Sequence, residues 1–273
     1  MTDTEQDAPG FGALTAKITR DRGFGCASYK EKCLRRRIAV RMRARGVHTF
    51  EDYAAVLDGD PHEYDRLIDA LTINVTKLFR NWETYDALRR LVVPALWSWH
   101  ADRIRVWSAG CSSGEEPHSL AALFHEHMAA RGEAHRASRV DVLGSDIDRG
   151  SLAAASQASY EEAAFADTPH ALRERYFTAG YPARVVPEVR AMVRFERRDL
   201  LREEPPSTGL HLITCRNVII YFDRASQEML FQRFFDALVP GGFLVLGKVE
   251  TLLGPTRNLF VPVNPRERIF RKP

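Results

Sequence analysis

The sequence has few cysteines and lacks a long apolar run, and both absences exclude whole classes of protein. Its 273 residues include 4 cysteines, too few and too irregularly spaced for a disulfide scaffold or a Cys-x-x-Cys metal site. This usage predicts a reducing compartment, the cytoplasm, and no bound metal. The most apolar stretches, 91–99 and 242–246, are too short to span a bilayer of roughly 30 Å. Membrane insertion is therefore not expected.

The first seven residues are polar and acidic and have no apolar core, so we do not expect them to act as a secretory signal. A content of 45% hydrophobic and 27% charged residues is typical of a soluble globular protein of one sizeable domain and a smaller partner. The net charge is only +3. The basic excess, however, is concentrated near the N-terminus and needs its own explanation.

The sequence pattern changes near Ile104. Before it, helical periodicity is broken at Gly46, at 59–61 and near Asn81, which predicts a small helical domain. After it, short apolar runs alternate with longer helical segments, as in repeated βα units. We therefore expect an N-terminal helical domain with its linker over residues 1–86 and an α/β domain over residues 87–273.

The second half predicts a doubly wound α/β sheet with additional edge strands from the C-terminal tail. The predicted strands are 104–108, 140–144, 193–196, 210–215 and 243–248, and the predicted helices are 117–131, 149–158, 169–176 and 225–238. Two extended runs between 184 and 195 interrupt the alternation, because only a short turn-like segment joins them. We expect an inserted β-hairpin subdomain around 178–196.

A loop of small residues, 108–116, connects the first predicted strand to a helix. Small residues let the backbone approach a ligand closely, as in the nucleotide sites of doubly wound folds. The loop is not Gly-x-Gly-x-x-Gly, and Glu115 and Glu116 at the helix start would repel a pyrophosphate. They would favour a cationic ligand. They could equally complement the helix dipole alone.

Polar residues also follow the next strands. Asp146 ends the second strand, where an acid accepts hydrogen bonds from ribose hydroxyls in nucleotide sites. Asp148 is better placed to cap the following helix. Arg216 and Asn217 end a strongly apolar run and must be hydrogen-bonded, either as structural bracing or, as we favour, as part of a ligand site.

A fourth element, 74–80, places Asn74, Thr76 and Arg80 just before the α/β domain. By itself this segment would indicate only a helix cap at Asn74 or Thr76.

Together the four elements resemble those of the CheR family of chemotaxis protein methyltransferases, and the resemblance covers nearly the whole chain. The matching motifs are Asn74-x-Thr76-x-x-Phe79-Arg80, Trp107-Ser108-Ala109-Gly110-Cys111-Ser112-Ser113-Gly114-Glu115-Glu116-Pro117, Ser145-Asp146-Ile147-Asp148 and Cys215-Arg216-Asn217-Val218-x-Ile220-Tyr221-Phe222. The resemblance implies a Rossmann-like class I methyltransferase fold. It also implies S-adenosyl-L-methionine as cofactor, with S-adenosyl-L-homocysteine as product.

The resemblance assigns roles to individual residues. The implied cofactor-binding residues are Asn74, Thr76, Arg80, Gly114, Glu115, Asp146, Asp199, Leu200, Arg216 and Asn217. Tyr221, near the methyl group, and Arg80 or Arg216, near the incoming carboxylate, are candidate catalytic orienters, although Tyr221 could equally be a core aromatic residue. Asp199 stands where the family often has asparagine, so a contact near the adenine is expected to differ.

The implied reaction forms glutamate methyl esters on the cytoplasmic helical bundle of methyl-accepting chemoreceptors. The segment 29–45 is a predicted helix with a narrow apolar edge, Leu34, Ile38 and Met42. We expect its basic residues to dock the acidic receptor. These are Arg35, Arg36, Arg37, Arg41, Arg43 and Arg45. A solvated basic face and a nucleic-acid surface are the alternatives.

We do not expect a nucleic-acid substrate, because the strand edge at 215–218 lacks an Asn/Asp-Pro-Pro-Tyr-like segment for a flipped base. Some family members grip a C-terminal receptor pentapeptide through the β-subdomain. The stretch 176–183 lacks the longer glycine-containing insert of those members, so no such tether is expected here. Methylation of another signalling protein, or a non-catalytic adaptor role, is the alternative function.

Overall fold

The computed structural model describes residues 8–72, 75–99 and 101–273. Its helices are α1 (Ala8–Arg22), α2 (Glu31–Ala44), α3 (Phe50–Gly59), α4 (Pro61–Leu71), α5 (Trp82–Ala87), α6 (Val93–Trp97), α7 (Glu115–Ala130), α8 (Arg149–Gln157), α9 (His170–Tyr176), α10 (Pro187–Arg190) and α11 (Arg224–Ala237). A π-helical turn, Leu88–Val92, joins α5 to α6. Within the described residues, none of the helices combines the length and the apolar character that crossing a membrane requires.

The strands are β1 (Ile104–Ala109), β2 (Val140–Asp146), β3 (Ser159–Tyr160), β4 (Ala183–Arg184), β5 (Val193–Arg197), β6 (Leu210–Cys215), β7 (Leu238–Leu246), β8 (Val261–Asn264) and β9 (Ile269–Arg271). These bounds agree closely with the predicted elements, except that β7 begins at Leu238 rather than at Phe243. Leu238 pairs with Leu210 before an irregularity in the register. The Pro-Gly-Gly sequence that follows therefore lies inside the strand.

The described chain forms two compact units. One contains the described part of Met1–Ile73 together with Tyr221–Ser226, and the other contains the described parts of Asn74–Ile220 and Gln227–Pro273. Residues 75–86, which the predicted boundary groups with the helical domain, belong to the unit that contains the sheet.

In the helical unit, α2 buries Leu34, Ile38 and Met42. This confirms the narrow apolar edge, because residues four apart lie on one face of a helix. The helix α3 begins after Thr49, whose side chain accepts a hydrogen bond from the Asp52 N–H. The predicted N-cap is therefore confirmed as well.

The second unit is built on a seven-stranded sheet of order β5-β2-β1-β6-β7-β9-β8. The chain runs from β1 outward through β2 to β5, and then returns past β1 to build β6 and β7 on the other side. These strands are parallel, whereas β9 and β8 form an antiparallel edge. The predicted doubly wound sheet with C-terminal edge strands is confirmed. Its strand order reverses between β1 and β6, where such sheets bind ligands.

A small antiparallel sheet of β3 and β4 is inserted between α8 and β5. Both extended runs expected between 184 and 195 are present, but they do not pair with each other. The first, β4, pairs with Ser159 and Tyr160, whereas the second, β5, joins the main sheet parallel to β2. The short helix α10 separates them, because Pro187 provides a favourable first helical residue.

Candidate functional site

The carboxyl ends of four parallel strands meet at one edge of the sheet. Strand β1 ends at Ala109, β2 at Asp146, β5 at Arg197 and β6 at Cys215, and these strands are neighbours. The polar segments that the sequence singled out follow these ends directly. Tertiary structure therefore gathers them at the switch point, where a ligand is expected.

The loop after β1 requires glycine at both of its ends. Gly110 has φ +80°, and a Cβ there would lie 2.5 Å from Val218 Cγ2. Gly114 has φ +88°, and a Cβ there would lie 2.8 Å from the Ala155 Cβ. Left-handed backbone and close packing both exclude larger residues. The loop backbone is thus held in a tight turn ahead of α7.

Asp146 ties this loop to the end of β2. Its carboxylate accepts hydrogen bonds from the Ser112 N–H at 2.8 Å and the Asp148 N–H at 3.0 Å. Burial raises the pKa of Asp146, and the backbone hydrogen bonds oppose that rise. Asp148 accepts from the Gly150 N–H at 2.8 Å and caps α8. The predicted cap at Asp148 is confirmed, whereas the ribose-binding role of Asp146 stays a prediction.

The paired glutamates at the start of α7 have different partners. Glu115 is buried and accepts hydrogen bonds from the Ser113 hydroxyl at 2.8 and 3.0 Å. Burial raises its pKa, while hydrogen bonds from Ser113 and Thr76 lower it. Thr76 thus lies beside Glu115, and its role in binding the cofactor stays a prediction.

Glu116 faces the sheet instead. It accepts hydrogen bonds from the Ser108 hydroxyl at 2.8 Å and from the Thr214 hydroxyl, and it lies 3.4 Å from Arg216 Nη1. It therefore joins the ends of β1 and β6 to the arginine that follows β6. The sequence had suggested for this residue only a preference for a cationic ligand or a complement to the helix dipole.

Arg216 is almost completely buried. Its Nη2 donates to the Arg80 carbonyl at 2.7 Å, and its guanidinium lies 5.2 Å from the centre of the Tyr85 ring. Its Nε has no hydrogen-bond partner among the described residues. A buried N–H without a partner costs about 1–3 kcal/mol, so this donor is available to a ligand.

The segment 75–81 is anchored at several points within the sheet unit. The Phe79 N–H donates to Ser119 Oγ at 2.9 Å, and the Asn81 N–H donates to Asp167 Oδ2 at 2.8 Å. The Arg80 guanidinium donates to the Val75 carbonyl at 2.7 Å. Asn74, also predicted to bind cofactor, lies outside the described residues.

Asp199 and Leu200 follow β5 at the same edge. Asp199 Oδ1 accepts from the Leu201 N–H at 2.9 Å and the Arg202 N–H at 3.3 Å, which fixes the turn. The Arg198 N–H donates to the Asp146 carbonyl at 2.9 Å. This bond brings the predicted ribose-binding acid and the predicted adenine segment together.

Two family models match the chain, and between them they cover nearly all of it. "CheR methyltransferase, all-alpha domain" matches residues 9–72, and "CheR methyltransferase, SAM binding domain" matches residues 74–267. The chain belongs to the CheR methyltransferase family. The predicted family, class I methyltransferase fold and S-adenosylmethionine cofactor are confirmed.

Individual relatives support the same assignment along the full length. The chemotaxis protein methyltransferase of Listeria innocua is 34% identical over 256 residues, which cover 93% of this chain and 94% of that protein. That of Klebsiella aerogenes is 34% identical over 263 residues, covering 92% and 86%. Chemotaxis protein methyltransferase 2 of Pseudomonas aeruginosa is 32% identical over 249 residues, covering 89% and 86%.

The residues at the sheet edge fit S-adenosylmethionine. Its sulfonium and amino groups are cationic, and the buried carboxylates of Glu115 and Asp146 favour cations in a low-dielectric setting. The buried Ser112 hydroxyl has no hydrogen-bond partner among the described residues and can serve a polar ligand. No cationic side chain is needed at this loop, in contrast to a phosphate site.

Tyr221 belongs by its contacts to the helical unit. Its carbonyl accepts from the Lys30 N–H at 2.9 Å, and the Arg37 guanidinium lies 5.2 Å from its ring centre. Arg37 also donates to the Ala70 carbonyl at 2.8 Å. The catalytic role of Tyr221 stays a prediction. Its ring forms a cation–π interaction with Arg37.

The arginines of α2 divide into internal and exposed groups. Arg41 forms a bidentate pair with Glu63, at 2.9 and 2.7 Å, and Glu63 is fully buried. Arg45 lies 3.3 Å from Asp60, and Arg35 donates to Glu31 at 2.6 Å. Arg36 and Arg43 are exposed.

A buried pair beneath the cofactor loop was missed by sequence reasoning. His118 Nδ1 lies 2.9 Å from the Gly114 carbonyl and 2.7 Å from the Tyr160 hydroxyl. The Tyr160 O–H donates to the Ser113 carbonyl at 3.1 Å. Burial lowers the pKa of His118 to about 4, so the ring is neutral near pH 7. Strand β2 and helix α8 separate Tyr160 from His118 in the chain, and nothing in the local sequence links them.

Proposed function

We propose that this protein transfers the methyl group of S-adenosylmethionine to glutamate side chains on the cytoplasmic region of chemoreceptors, forming methyl esters. The observation that carries the proposal is the buried Arg216, whose Nε is an unpartnered donor beside the cofactor-binding edge. A guanidinium there suits an incoming carboxylate. The relatives are named chemotaxis protein methyltransferases, which supports methyl transfer in chemotaxis.

Methyl transfer to a carboxylate requires few catalytic groups from the protein. S-adenosylmethionine supplies an electrophilic methyl group on a sulfonium when it is bound. A glutamate carboxylate is already a nucleophile at neutral pH, so the transfer forms an O–CH₃ bond, breaks the CH₃–S bond and needs no proton acceptor. The protein has to align the carboxylate and exclude water from its attacking oxygen.

Arg216 is held well for that task. Glu116 and the Arg80 carbonyl fix its two terminal nitrogens, so the Nε–H direction is set before substrate arrives. Glu116 also balances its charge, which limits the cost of burying it. Arg80 and Tyr221 are proposed to assist in orienting the carboxylate and the methyl group.

Docking of the receptor is assigned to the exposed side of α2. Lys32, Arg36 and Arg43 are exposed and spaced so that they share one side of the helix, with Val40 49% exposed between the two arginines. Such a cationic surface attracts acidic helices, such as those of a receptor's cytoplasmic helical bundle, and should weaken with salt. The internally paired Arg41 contributes to stability rather than to this surface.

The test is incubation with tritiated S-adenosylmethionine and receptor-rich membranes, followed by mild base. Methyl esters release volatile labelled methanol under base, whereas methylated amines and bases retain their label. We expect the label in the receptor band to be released. Label that survives base would contradict glutamate methylation, and a boiled-enzyme sample gives the background.

The pentapeptide question can be settled with the same preparation. Because the stretch 176–183 lacks an added glycine-containing insert, we propose that no C-terminal receptor peptide is needed. Receptors truncated by their last five residues should be methylated at the same rate as intact receptors. Tight, saturable binding of the isolated pentapeptide would contradict this proposal.

A further inference from the structure

Glu250 lies after β7, and its side chain is only 4% exposed. Its Oε2 accepts hydrogen bonds from the Gly247 N–H at 2.6 Å and the Asn217 N–H at 2.9 Å, and its Oε1 accepts from the Ile220 N–H at 3.3 Å. These partners are backbone amides. Both carboxylate oxygens are therefore engaged in holding two loops, one after β6 and one after β7.

The loop after β6 leaves no spare room beside this carboxylate. Asn217 has φ +63°, in the left-handed region that asparagine enters more readily than most residues. A Cβ on Gly247 would lie 2.7 Å from Glu250 Oε2 and 2.9 Å from the Asn217 nitrogen. The carboxylate thus occupies a space that only a glycine at position 247 leaves open.

The supported loop in turn contacts the cofactor loop. Val218 packs so closely on Gly110 that no Cβ fits there. Arg216 and Asn217, which precede Val218, are among the residues assigned to the cofactor. A chain of contacts therefore runs from Glu250 through Asn217 and Val218 to the loop after β1, all within the sheet unit.

We propose that Glu250 is a positioning residue of the cofactor site: by accepting hydrogen bonds from the amides of Asn217 and Ile220 it fixes the loop that presents Arg216 and Asn217 to the cofactor. This role deepens the proposed function, since it rests on the assignment of Arg216 and Asn217 to the site. Glu250 itself acts through these residues and is not assigned a contact with cofactor or substrate.

Glutamine cannot replace glutamate in this position. Both oxygens of the carboxylate face N–H donors, so the NH₂ group of a glutamine would be directed at an amide hydrogen on one side. Glu250→Gln therefore loses part of the hydrogen bonding that holds the loop after β6, while the volume of the side chain hardly changes. An effect of this variant reports on the hydrogen bonds rather than on packing.

The experiment is a double-mutant cycle of Glu250→Gln and Asn217→Ala, with binding of S-adenosylhomocysteine measured by calorimetry. Each single variant should bind about tenfold more weakly, and the double variant should bind no more than about twofold more weakly than the worse single variant. Unchanged affinity in Glu250→Gln, or multiplied losses in the double variant, would overturn the proposal.

Glu267→Gln is the matched control. Glu267 is also 4% exposed, accepts from the Thr84 hydroxyl at 2.7 Å and lies 3.6 Å from Lys248 Nζ. Its replacement should lower the melting temperature while leaving the affinity for S-adenosylhomocysteine unchanged. If Glu267→Gln lost as much affinity as Glu250→Gln, removal of any buried carboxylate would weaken cofactor binding. That result would overturn the specific role proposed for Glu250.

Two further measurements distinguish a folding defect from a loss of positioning, and a failure of the proposed function from a failure of the role of Glu250. Should Glu250→Gln fail to fold, Glu250→Asp enters the same cycle, and an additive result overturns the proposal in the same way. The cycle uses the cofactor product alone, whereas the ester assay uses receptor. A wild-type protein that binds S-adenosylhomocysteine but forms no receptor esters would therefore contradict the proposed function and leave the role of Glu250 standing.

Discussion

The Ser112 N–H donates to the carboxylate of Asp146 at 2.8 Å, across the gap between the loop after β1 and the end of β2. The same carboxylate is our candidate for the cofactor ribose. One residue thus shapes the loop and is expected to contact the ligand, so that removing it affects both. Asp148, two residues later, caps α8 through the Gly150 N–H and provides the comparison.

Replacing Asp146 by Asn should weaken binding of S-adenosylhomocysteine about tenfold or more, which corresponds to about 1.4 kcal/mol. The physical reason is that both N–H donors, from Ser112 and Asp148, would then meet an amide that has one acceptor instead of two. Calorimetry measures the affinity. Asp148→Ala should instead cost about 1 kcal/mol of stability with unchanged affinity. Wild-type affinity in Asp146→Asn would remove Asp146 from the site.

Reversing the charge at Arg36 and Arg43 together should raise the KM for receptor about tenfold at low ionic strength, with kcat and the melting temperature little changed. Because the attraction is long-ranged and exposed, added salt should reduce the difference between wild type and variant. Steady-state methylation at two salt concentrations measures this. A KM that stays at the wild-type value would contradict docking through α2.

Arg41→Ala provides the contrast on the same helix. It leaves the fully buried Glu63 without its bidentate partner, so we expect a loss of about 3 kcal/mol of unfolding free energy. Tyr53 still donates to Glu63 at 2.8 Å, which softens the loss. Denaturant unfolding measures it, and a variant as stable as the wild type would show that the pair is not structural.

Gly110→Ala should destabilise the protein and weaken cofactor binding, because it combines a left-handed φ with a clash against Val218. Gly132→Ala is a control that has the backbone strain without the steric clash. Gly132 has φ +72° but has nothing within 4 Å of an added Cβ, so only backbone strain of about 1–2 kcal/mol applies. Denaturant unfolding of both variants measures the difference. Equal losses in the two would contradict the close approach of Val218.

Replacing His118 by Phe should make the free energy of unfolding less dependent on pH below neutrality. The pKa of His118 falls from 6.5 to about 4 on folding because of burial, so the unfolded chain binds the proton more readily. The native protein is therefore fully stabilised above about pH 6.5 and loses stability as pH falls toward 4. Between pH 7 and pH 5 this amounts to about 2 kcal/mol.

The measurement for His118 is the difference in unfolding free energy between pH 7 and pH 5, in wild type and His118→Phe. Taking the difference between the proteins removes the contributions of the buried carboxylates, which both proteins share. The variant should show a pH dependence about 2 kcal/mol smaller. Identical pH dependence would mean that His118 is not buried neutral.

Much of the fold follows from local sequence pattern. The helices and strands of the α/β unit were predicted closely because hydrophobic periodicity reports which side of an element is buried. The caps at Thr49 and Asp148 were also predicted, because in a cap the donor and the acceptor lie within a few residues of each other. The pairing of the segment near 185 was predicted wrongly in detail, because strand partners are chosen by distant residues.

The sequence by itself determined the family and the cofactor, and it predicted the segments of the site, because each motif is contiguous and carries its chemistry locally. Only the tertiary structure decided how neighbouring residues divide their roles. It separated Glu115, near the cofactor loop, from Glu116, which holds Arg216, and it separated the exposed Arg36 from the internally paired Arg41. It also brought Glu250 to Asn217. Such assignments depend on hydrogen bonds between groups far apart in the chain, which no local pattern encodes.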